Sequence, residues 1–457
     1  MNRRGADAMG LTVLIVSLAW YPAIDRQDII KLAALAGATA VAAGAALRGR
    51  DSLNRPIGIA LMVIMGLGVS LPGWRTGFEA WTSIWLVAVG WWLAPRIDRR
   101  RLAGWIALAA SFQALLAVLG EVWDPWGHGQ WVSFQGRRAL GTFGNPTLLG
   151  IWLAAVFPLC FAVRWRWAAA ALVAAGVVAC RSRVGLVLLS VAAVALLIGR
   201  RPRRIRWVGL LIPLAVSVVS LAGGFEHVFD PAPWRERLAI ARAALSGLMT
   251  EGPSTWMLGL GPEAFANHWL LWRGRDEGVA ELALRHAHID IVEWAVEFGI
   301  GGVVLFVGLV YWMWLGFRSP EWTATLAGIT VALLLAASFV QPTLVTVPGI
   351  VLCGAALSMV VPAPPGNGQG AALAVAAAVA IVCGLVGIRG SSERLRAQAT
   401  LLRVGDHDSL ATALAAARVD AGNDRAWLEV AMARDGEPAI TRMALQRVRI
   451  RGLSNAE

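Results

Sequence analysis

The residues with the clearest capacity for chemistry lie in one stretch, HAHIDIVEWAVEFGIGG, at positions 286–302. Histidine titrates near neutral pH, so His288 could take a proton from an attacking hydroxyl group. Asp290, Glu293 and Glu297 follow it three to four residues apart, which predicts one stripe of a helix. Carboxylates in such positions can orient an imidazole, pair with arginine or cap a helix N-terminus. The stretch therefore predicts a general base at the entrance to a helix that soon becomes apolar.

Arginines in three other segments offer the complementary charge. They are Arg137 and Arg138 before ALGTFGNP, Arg181 and Arg183 in the turn CRSR, and Arg235, Arg237 and Arg242 in a segment whose apolar residues Leu238, Ala241, Leu245 and Leu248 have helical spacing. A guanidinium group binds phosphate through paired hydrogen bonds and stays charged at any working pH. These arginines are candidate ligands for an anionic substrate, with interface anchors and solvated loop charges as the alternative interpretation.

The sequence shows no recognisable set of metal ligands. His286 and His288 are two residues apart, which is not the spacing of a helical or zinc-finger ligand pair. The cysteines Cys160, Cys180, Cys353 and Cys383 lie in or beside apolar blocks and are expected to be free, packed thiols. We therefore expect neither a metal ion nor another cofactor.

The elements that must position these groups are long apolar blocks. Of the 457 residues, 57% are hydrophobic and 15% are charged, whereas a soluble domain carries about a quarter charged residues. The net charge of +12 comes from arginines in short loops between the blocks, which is typical of membrane orientation and argues against a nucleic-acid partner. The composition predicts an all-α, polytopic integral membrane protein.

Thirteen apolar segments are candidate transmembrane helices: 8–24, 29–47, 56–72, 79–95, 102–120, 146–163, 167–180, 184–199, 207–223, 291–317, 322–340, 344–362 and 371–388. If the N-terminus is cytoplasmic, arginine-rich segments such as RRPRRIR at 200–206 fall inside, as the positive-inside tendency requires. The segments 121–145, 180–183 and 224–290 then lie on the outer face and carry most of the candidate residues.

We divide the chain into a transmembrane domain, 1–388, with the long outer loop 224–290, and a tail, 389–457. The tail sequences SLATALAAARVDAG and DRAWLEVAMARDG predict two short amphipathic helices that end at glycine. Two such helices match a TPR-like pair only in outline. A small extracytoplasmic helical appendage, able to recruit another protein, is the plainer interpretation.

Residues 100–360 resemble the O-antigen ligase and polymerase superfamily in the order and spacing of several stretches. These are RRALGTFGNPTLLG, RSRVG, RERLAIARAAL followed by GLGPEAF, and the histidine stretch. The family pattern near the histidine is matched by His288, Gly299 and Gly302. Glu297 matches an acidic residue that is common two positions before the first of these glycines.

The resemblance implies a metal-independent glycosyltransferase of the bacterial inner membrane, embedded among membrane lipids, with its active face in the periplasm. The donor would be a glycan on undecaprenyl diphosphate, and the acceptor a hydroxyl of lipid A core or of another glycan. By motif, the resemblance implies His288 as the base, Arg183 and Arg237 as diphosphate ligands, and Arg138 as a supporting residue. The further substrate-binding candidates are Arg181, Arg242 and Glu297.

Several functions stay open from the sequence. Ile289 stands where ligases usually have Asn, Ser or Gln, so a ligase and a polymerase of glycans are both compatible, as is transfer to a protein. A transporter of lipid-linked glycans without covalent chemistry is the alternative of another class. The centres of the apolar segments lack the charged residues that transporters use. A scaffold that recruits partners through the tail is a third interpretation.

Overall fold

The computed structural model describes residues 98–122, 141–198, 232–250, 252–260, 287–344 and 346–360, with single positions at 13, 14, 139, 265, 268, 269, 272, 413, 414, 430 and 432. Within this part of the chain the structure is helical and contains no β-strand, which confirms the all-α prediction there. The expected apolar segments 8–24, 29–47, 56–72, 79–95, 207–223 and 371–388 lie outside the described ranges, as does the tail, 389–457, apart from single positions.

The α-helices of the described ranges are α1 (Arg99–Val122), α2 (Pro146–Val156), α3 (Arg166–Ala179), α4 (Arg183–Ile198), α5 (Ala232–Thr250), α6 (Pro253–Leu258), α7 (Asp290–Phe298), α8 (Ile300–Arg318), α9 (Trp322–Ser338) and α10 (Val347–Val360). Two 3₁₀ segments, Gly141–Phe143 and Phe157–Ala162, flank α2. Each expected apolar segment that falls on described residues is therefore helical.

The described helices belong to two compact units. Unit 1 contains α1 to α4, the part of α8 from Val307 onward, α9 and α10. Unit 2 contains α5, α6, α7 and the first residues of α8, up to Phe306. Each described candidate residue accordingly belongs to one unit or the other.

Helices that follow one another in unit 1 run in opposite directions. One end of the unit is marked by an ion pair between Arg99, at the start of α1, and Glu321, just before α9. The other end is marked by a backbone hydrogen bond of 3.3 Å from the N–H of Ala139 to the carbonyl of Ala179, the last residue of α3. Thus α1, α3 and α9 begin at the first end, and α2 and α4 begin at the second.

Small residues let the helices of unit 1 approach one another closely. A Cβ added to Gly185 of α4 would lie 2.9 Å from the carbonyl carbon of Gly150 in α2. A Cβ added to Gly176 of α3 would lie 2.7 Å from the Cα of Ala114 in α1. Small residues at such crossings are typical of helix pairs in membranes. The first contact holds the N-terminal ends of α2 and α4 side by side.

Unit 2 is built around an apolar core that α5 and α7 share. The core contains Ile240, Ala241, Ala244 and Leu248 of α5, Val292 and Val296 of α7, and Leu260, Phe265, Trp269 and Ala287 from the segments between them. The N–H of Leu260 donates to the carbonyl of Val296 at 2.8 Å. This bond ties the chain that follows α6 to the C-terminal end of α7.

The expected segment 291–317 is two helices rather than one. Between α7 and α8, Gly299 takes a left-handed φ of 59°. A Cβ at Gly299 would lie 2.5 Å from the carbonyl oxygen of Trp256 in α6. Glycine is required here both for the turn and for the close approach of α6, and its presence breaks the helix that hydropathy alone predicts.

Two helices in the described part of the chain are long and apolar enough to cross a bilayer, Arg99–Gly120 with 22 residues and Ile300–Arg318 with 19. The other apolar helices there have 10–17 residues. A spanning helix needs about 20. Helix length therefore does not establish the expected number of transmembrane helices.

Candidate functional site

The CRSR turn of unit 1 joins α3 to α4 almost without a loop. Arg181 has a left-handed φ of 46°, and its N–H donates to the carbonyl of Val178 at 2.9 Å. A left-handed residue is a common way to end a helix. The buried hydroxyl of Ser182 accepts a hydrogen bond of 3.1 Å from the N–H of Gly185 and so caps α4. The side chains of Arg181 and Arg183 are exposed, so the turn presents two guanidinium groups at a helix N-terminus.

The loop before α2 lies beside this turn. Its residue Ala139 donates its N–H to Ala179, two residues before Arg181. The buried side chain of Gln113 in α1 donates to the hydroxyl of Thr142 at 2.8 Å, which ties the loop to the bundle. Arg138 lies outside the described residues, but its neighbour Ala139 is bonded next to the arginine turn. The backbone therefore brings the residue that follows Arg138 next to the arginine turn.

The histidine stretch of unit 2 contains a second left-handed residue. His288 has a φ of 57°, and Arg181 is the only other non-glycine residue with a positive φ in the described ranges. The imidazole is half-buried, and its Nδ1 atom is inaccessible to solvent. A left-handed non-glycine residue costs about 1–3 kcal/mol and persists where the surrounding structure enforces it. The position of His288 is therefore imposed by its neighbours.

One of those neighbours is the carboxylate of Glu293. Its Oε2 atom accepts a hydrogen bond of 2.9 Å from the N–H of Ala287, the residue before His288. Both Glu293 and Ala287 are buried. The side chain of Ile289, at the start of α7, makes no capping hydrogen bond. The carboxylate thus reaches back across the start of α7 and fixes the backbone that carries the histidine.

The three carboxylates of α7 are all withdrawn from solvent. Asp290 is fully buried, and Glu293 and Glu297 are 3% and 7% exposed. Ionised carboxylates are seldom buried without hydrogen-bonding or charged partners. The acidic stripe predicted from the sequence is therefore buried.

Helix α5 directs its arginines to opposite sides. Arg237 precedes Ala241 and Ala244 by four and seven residues and so shares the face that packs into the core of unit 2. Its side chain is half-buried, and this burial lowers the pKa of the guanidinium, an effect that the carboxylate of Glu236 partly offsets. Arg242, in contrast, lies on the exposed side of the helix.

The apolar residues of α5 are divided in the same way. The sequence placed Leu238, Ala241, Leu245 and Leu248 on one stripe, but only Ala241 and Leu248 belong to the core. Leu238 is 53% exposed and Leu245 is 41% exposed. The helix therefore has two apolar faces, and a single amphipathic stripe does not describe it.

His288 and Arg237 border the same core. Ala287 is in the core next to His288, and Ala241 is in the core one helical turn after Arg237. The backbone positions next to His288 and one turn after Arg237 are thus part of one packed cluster in unit 2, and the buried carboxylate of Glu297 is on α7, the helix that follows His288. Arg181 and Arg183 belong to unit 1.

Sequence reasoning did not identify the hydrogen bond between Glu293 and Ala287. It also did not identify the hydrogen bond by which Gln113 ties the loop before α2 to α1. A glutamate near a helix start is a recognised signal, but the partner here lies before the usual capping residue. The cap at Ser182 could be predicted from the sequence, because serine directly before an apolar run is a typical N-cap.

Among the described residues, no group of three or more His, Cys, Asp or Glu side chains is placed to hold a metal ion. Cys160, Cys180 and Cys353 are buried free thiols, as the sequence predicts, and Cys383 lies outside the described ranges. Comparison of the chain with protein-family models and with curated proteins finds no match.

Proposed function

We propose that the chain is a polytopic membrane glycosyltransferase that moves a glycan from undecaprenyl diphosphate to a sugar hydroxyl at the outer face of the bacterial inner membrane. The observation that supports the proposal is that Ala287, the residue before His288, and Ala241, one helical turn after Arg237, share the core of unit 2. These are the base and one of the diphosphate ligands that the family resemblance implies.

The exposed surface of α8 supports the membrane part of the proposal. Its large exposed apolar residues are Ile300, Val303, Val304, Val307, Val310, Tyr311, Trp314 and Phe317. They recur every three to four residues and form one continuous stripe along the helix. Soluble monomeric proteins rarely expose a contiguous apolar surface of this kind, whereas lipid is a suitable neighbour for it.

In the proposed reaction, the acceptor hydroxyl attacks the anomeric carbon of the donor sugar. The new bond joins the acceptor oxygen to this carbon, and the bond between the carbon and the diphosphate oxygen breaks. The hydroxyl proton passes to Nε2 of His288 in this proposal, because Nδ1 is inaccessible to solvent. Direct attack of this kind inverts the anomeric centre. A positioned base typically accelerates such a step by about 10²–10⁴.

The leaving group is a diphosphate whose negative charge grows as the glycosidic bond breaks. A guanidinium group fixed at the site stabilises that charge more strongly than water does, because it needs no reorganisation. Arg237 is suited to this role in unit 2, since packing holds its helix and part of its side chain. Arg183, with Arg181 beside it, is the corresponding candidate in unit 1.

Purified full-length protein in nanodiscs, supplied with a polyprenyl-diphosphate glycan and different acceptors, tests the proposal directly. A single chain transferred to lipid A core identifies a ligase, and a ladder of lengthening lipid-linked glycans identifies a polymerase. Transfer should persist in the presence of a chelator. A donor that stays intact with every acceptor, but that the protein moves across the bilayer of sealed proteoliposomes, would instead identify a transporter.

A further inference from the structure

The outward face of α5 carries apolar and positive side chains together. Leu238, Arg242, Leu245 and Met249 are separated by four, three and four residues, so they lie on one stripe. Leu238 and Met249 are 53% and 56% exposed, and Arg242 is exposed between them. Arg235, one turn earlier, is exposed at the edge of this stripe. We refer to this stripe as the outer face of α5.

Helix α6 adds two further exposed apolar residues at a defined depth. Trp256 and Met257 are 41% and 63% exposed. The backbone of α6 touches Gly299, since a Cβ there would lie 2.5 Å from the carbonyl oxygen of Trp256. Gly299 directly precedes α8, one of the two helices in the described part of the chain that are long and apolar enough to cross a bilayer. Trp256 therefore lies where that helix would enter the membrane, which is the level at which tryptophan is enriched.

From these features we infer that α5 and α6 lie on the surface of an anionic bilayer, with the outer face of α5 in contact with lipid. This inference rests on the membrane embedding of α8 proposed above. Leu238, Leu245 and Met249 contact acyl chains near the headgroups, and Arg235 and Arg242 pair with headgroup phosphates. Helices with this combination of apolar and arginine side chains bind in the interface plane.

The inference gives the two faces of α5 different tasks. Arg237 faces the core and the proposed site, while Arg242 faces lipid, although both are candidate substrate ligands by sequence. A lipid-bound substrate must present its diphosphate at headgroup level. A helix that lies at this level can hold a guanidinium group on its inner side at the same height, which explains why arginines occur on both faces.

Nitroxide labels on single introduced cysteines test this placement in the full-length chain, with the four native cysteines replaced by alanine. Leu245→Cys and Met249→Cys report the outer face. Glu236→Cys is the matched control, because Glu236 is exposed and points to the opposite side of the helix axis from Leu245. Val307→Cys, exposed on α8, reports membrane embedding itself. The proteins are placed in nanodiscs that contain phosphatidylglycerol.

We expect oxygen to relax the labels at 245, 249 and 307 more strongly than a water-soluble nickel chelate does, and the reverse at 236. Water access at 245 and 249 with lipid access at 307 would overturn the docking of α5 and leave the membrane proposal intact. Water access at 307 would overturn the membrane proposal as well.

Changing the charge of the lipid headgroups tests whether Arg235 and Arg242 contribute to the docking of α5 on the bilayer. Replacing phosphatidylglycerol with phosphatidylcholine, or introducing Arg235→Gln and Arg242→Gln, should shift the label at 245 toward water. Each arginine near an anionic surface contributes about 1 kcal/mol, which corresponds to roughly a fivefold change in the ratio of docked to undocked helix. Labels that respond to neither change would overturn the assignment of an anionic surface.

Discussion

The turns at Arg181 and at His288 share a backbone conformation but are maintained differently. Both residues are left-handed and neither is glycine. The Arg181 turn follows a helix and is closed by a backbone bond to Val178, so the connection of two helices explains it. The His288 turn precedes a helix and is held by the buried carboxylate of Glu293. A side chain dedicated to holding one residue is a stronger indication of function than the left-handed conformation itself.

The sharpest test of this contrast is His288→Asn. Asparagine tolerates the left-handed region better than most residues, so the variant removes the imidazole while it retains the turn. We expect transfer to fall by about 10²–10⁴, the usual contribution of a positioned base. The measurement is the rate of product formation from a lipid-diphosphate glycan in nanodiscs.

The matched control makes the same change at the other turn. Arg181→Asn also retains a left-handed backbone and removes an exposed side chain, so we expect it to keep a much larger share of the activity than the histidine variant. Equal losses at both positions would show that the two turns are alike in function and would remove the distinction drawn above.

The next largest expected effect on turnover comes from comparing arginines on the two faces of α5. Arg237→Gln should lower the turnover number by about 10²–10³, the usual cost of removing one donor that stabilises transition-state charge. Arg242→Gln should leave turnover within a small factor of the parent, because its guanidinium group faces away from the core. Turnover and KM are measured separately for each variant, and a larger loss of turnover in Arg242→Gln would reverse the assignment.

The sequence was informative about helices because their signals are local. Apolar blocks and arginine-rich connections lie within a few residues of the features that they determine, and the predicted bounds rest on these signals rather than on the Asn145 and Ser182 caps that the structure shows. The bounds of α3 and α4 follow the predicted segments closely for this reason. The short α3 was predicted correctly as a helix, although its length alone is marginal for a span.

The arrangement of the site was less accessible to sequence reasoning because it depends on packing. Hydropathy joined α7 to α8, whereas the contact between Gly299 and α6 separates them. Helical spacing placed Leu245 with Leu248, but α7 packs on only one side of α5 and selects which apolar residues are buried. The bond from Glu293 to Ala287 spans six residues through an irregular turn, and no periodic pattern encodes it.

A smaller effect separates two roles of Glu293. Glu293→Gln keeps an oxygen that can accept from the N–H of Ala287, and Glu293→Ala leaves that buried N–H without it, which costs about 1–3 kcal/mol. If the carboxylate acts by positioning His288, the alanine variant should lose transfer and should change the rate at which diethyl pyrocarbonate modifies His288. The glutamine variant should restore most of the transfer and most of the original modification rate. If only the charge matters, glutamine and alanine should fail equally.

The smallest effect concerns the cost of the Arg181 turn. Left-handed geometry disfavours a residue with a Cβ by about 1–2 kcal/mol, and glycine is the usual residue at this position after a helix. Replacing Arg181 by glycine relieves this conformational cost, but the greater freedom of glycine in the unfolded chain cancels roughly 0.5–1 kcal/mol of the relief. Because the lost guanidinium group is exposed, its interactions are screened, so Arg181→Gly should leave the thermal unfolding midpoint unchanged or slightly raised. His288→Gly, at a similar φ of 57° against 46° for Arg181, serves as the comparison in the same unfolding measurement and should also lose transfer. A marked fall in the midpoint for Arg181→Gly would mean that its guanidinium group stabilises the α3–α4 connection, and the backbone explanation of this turn would then be insufficient.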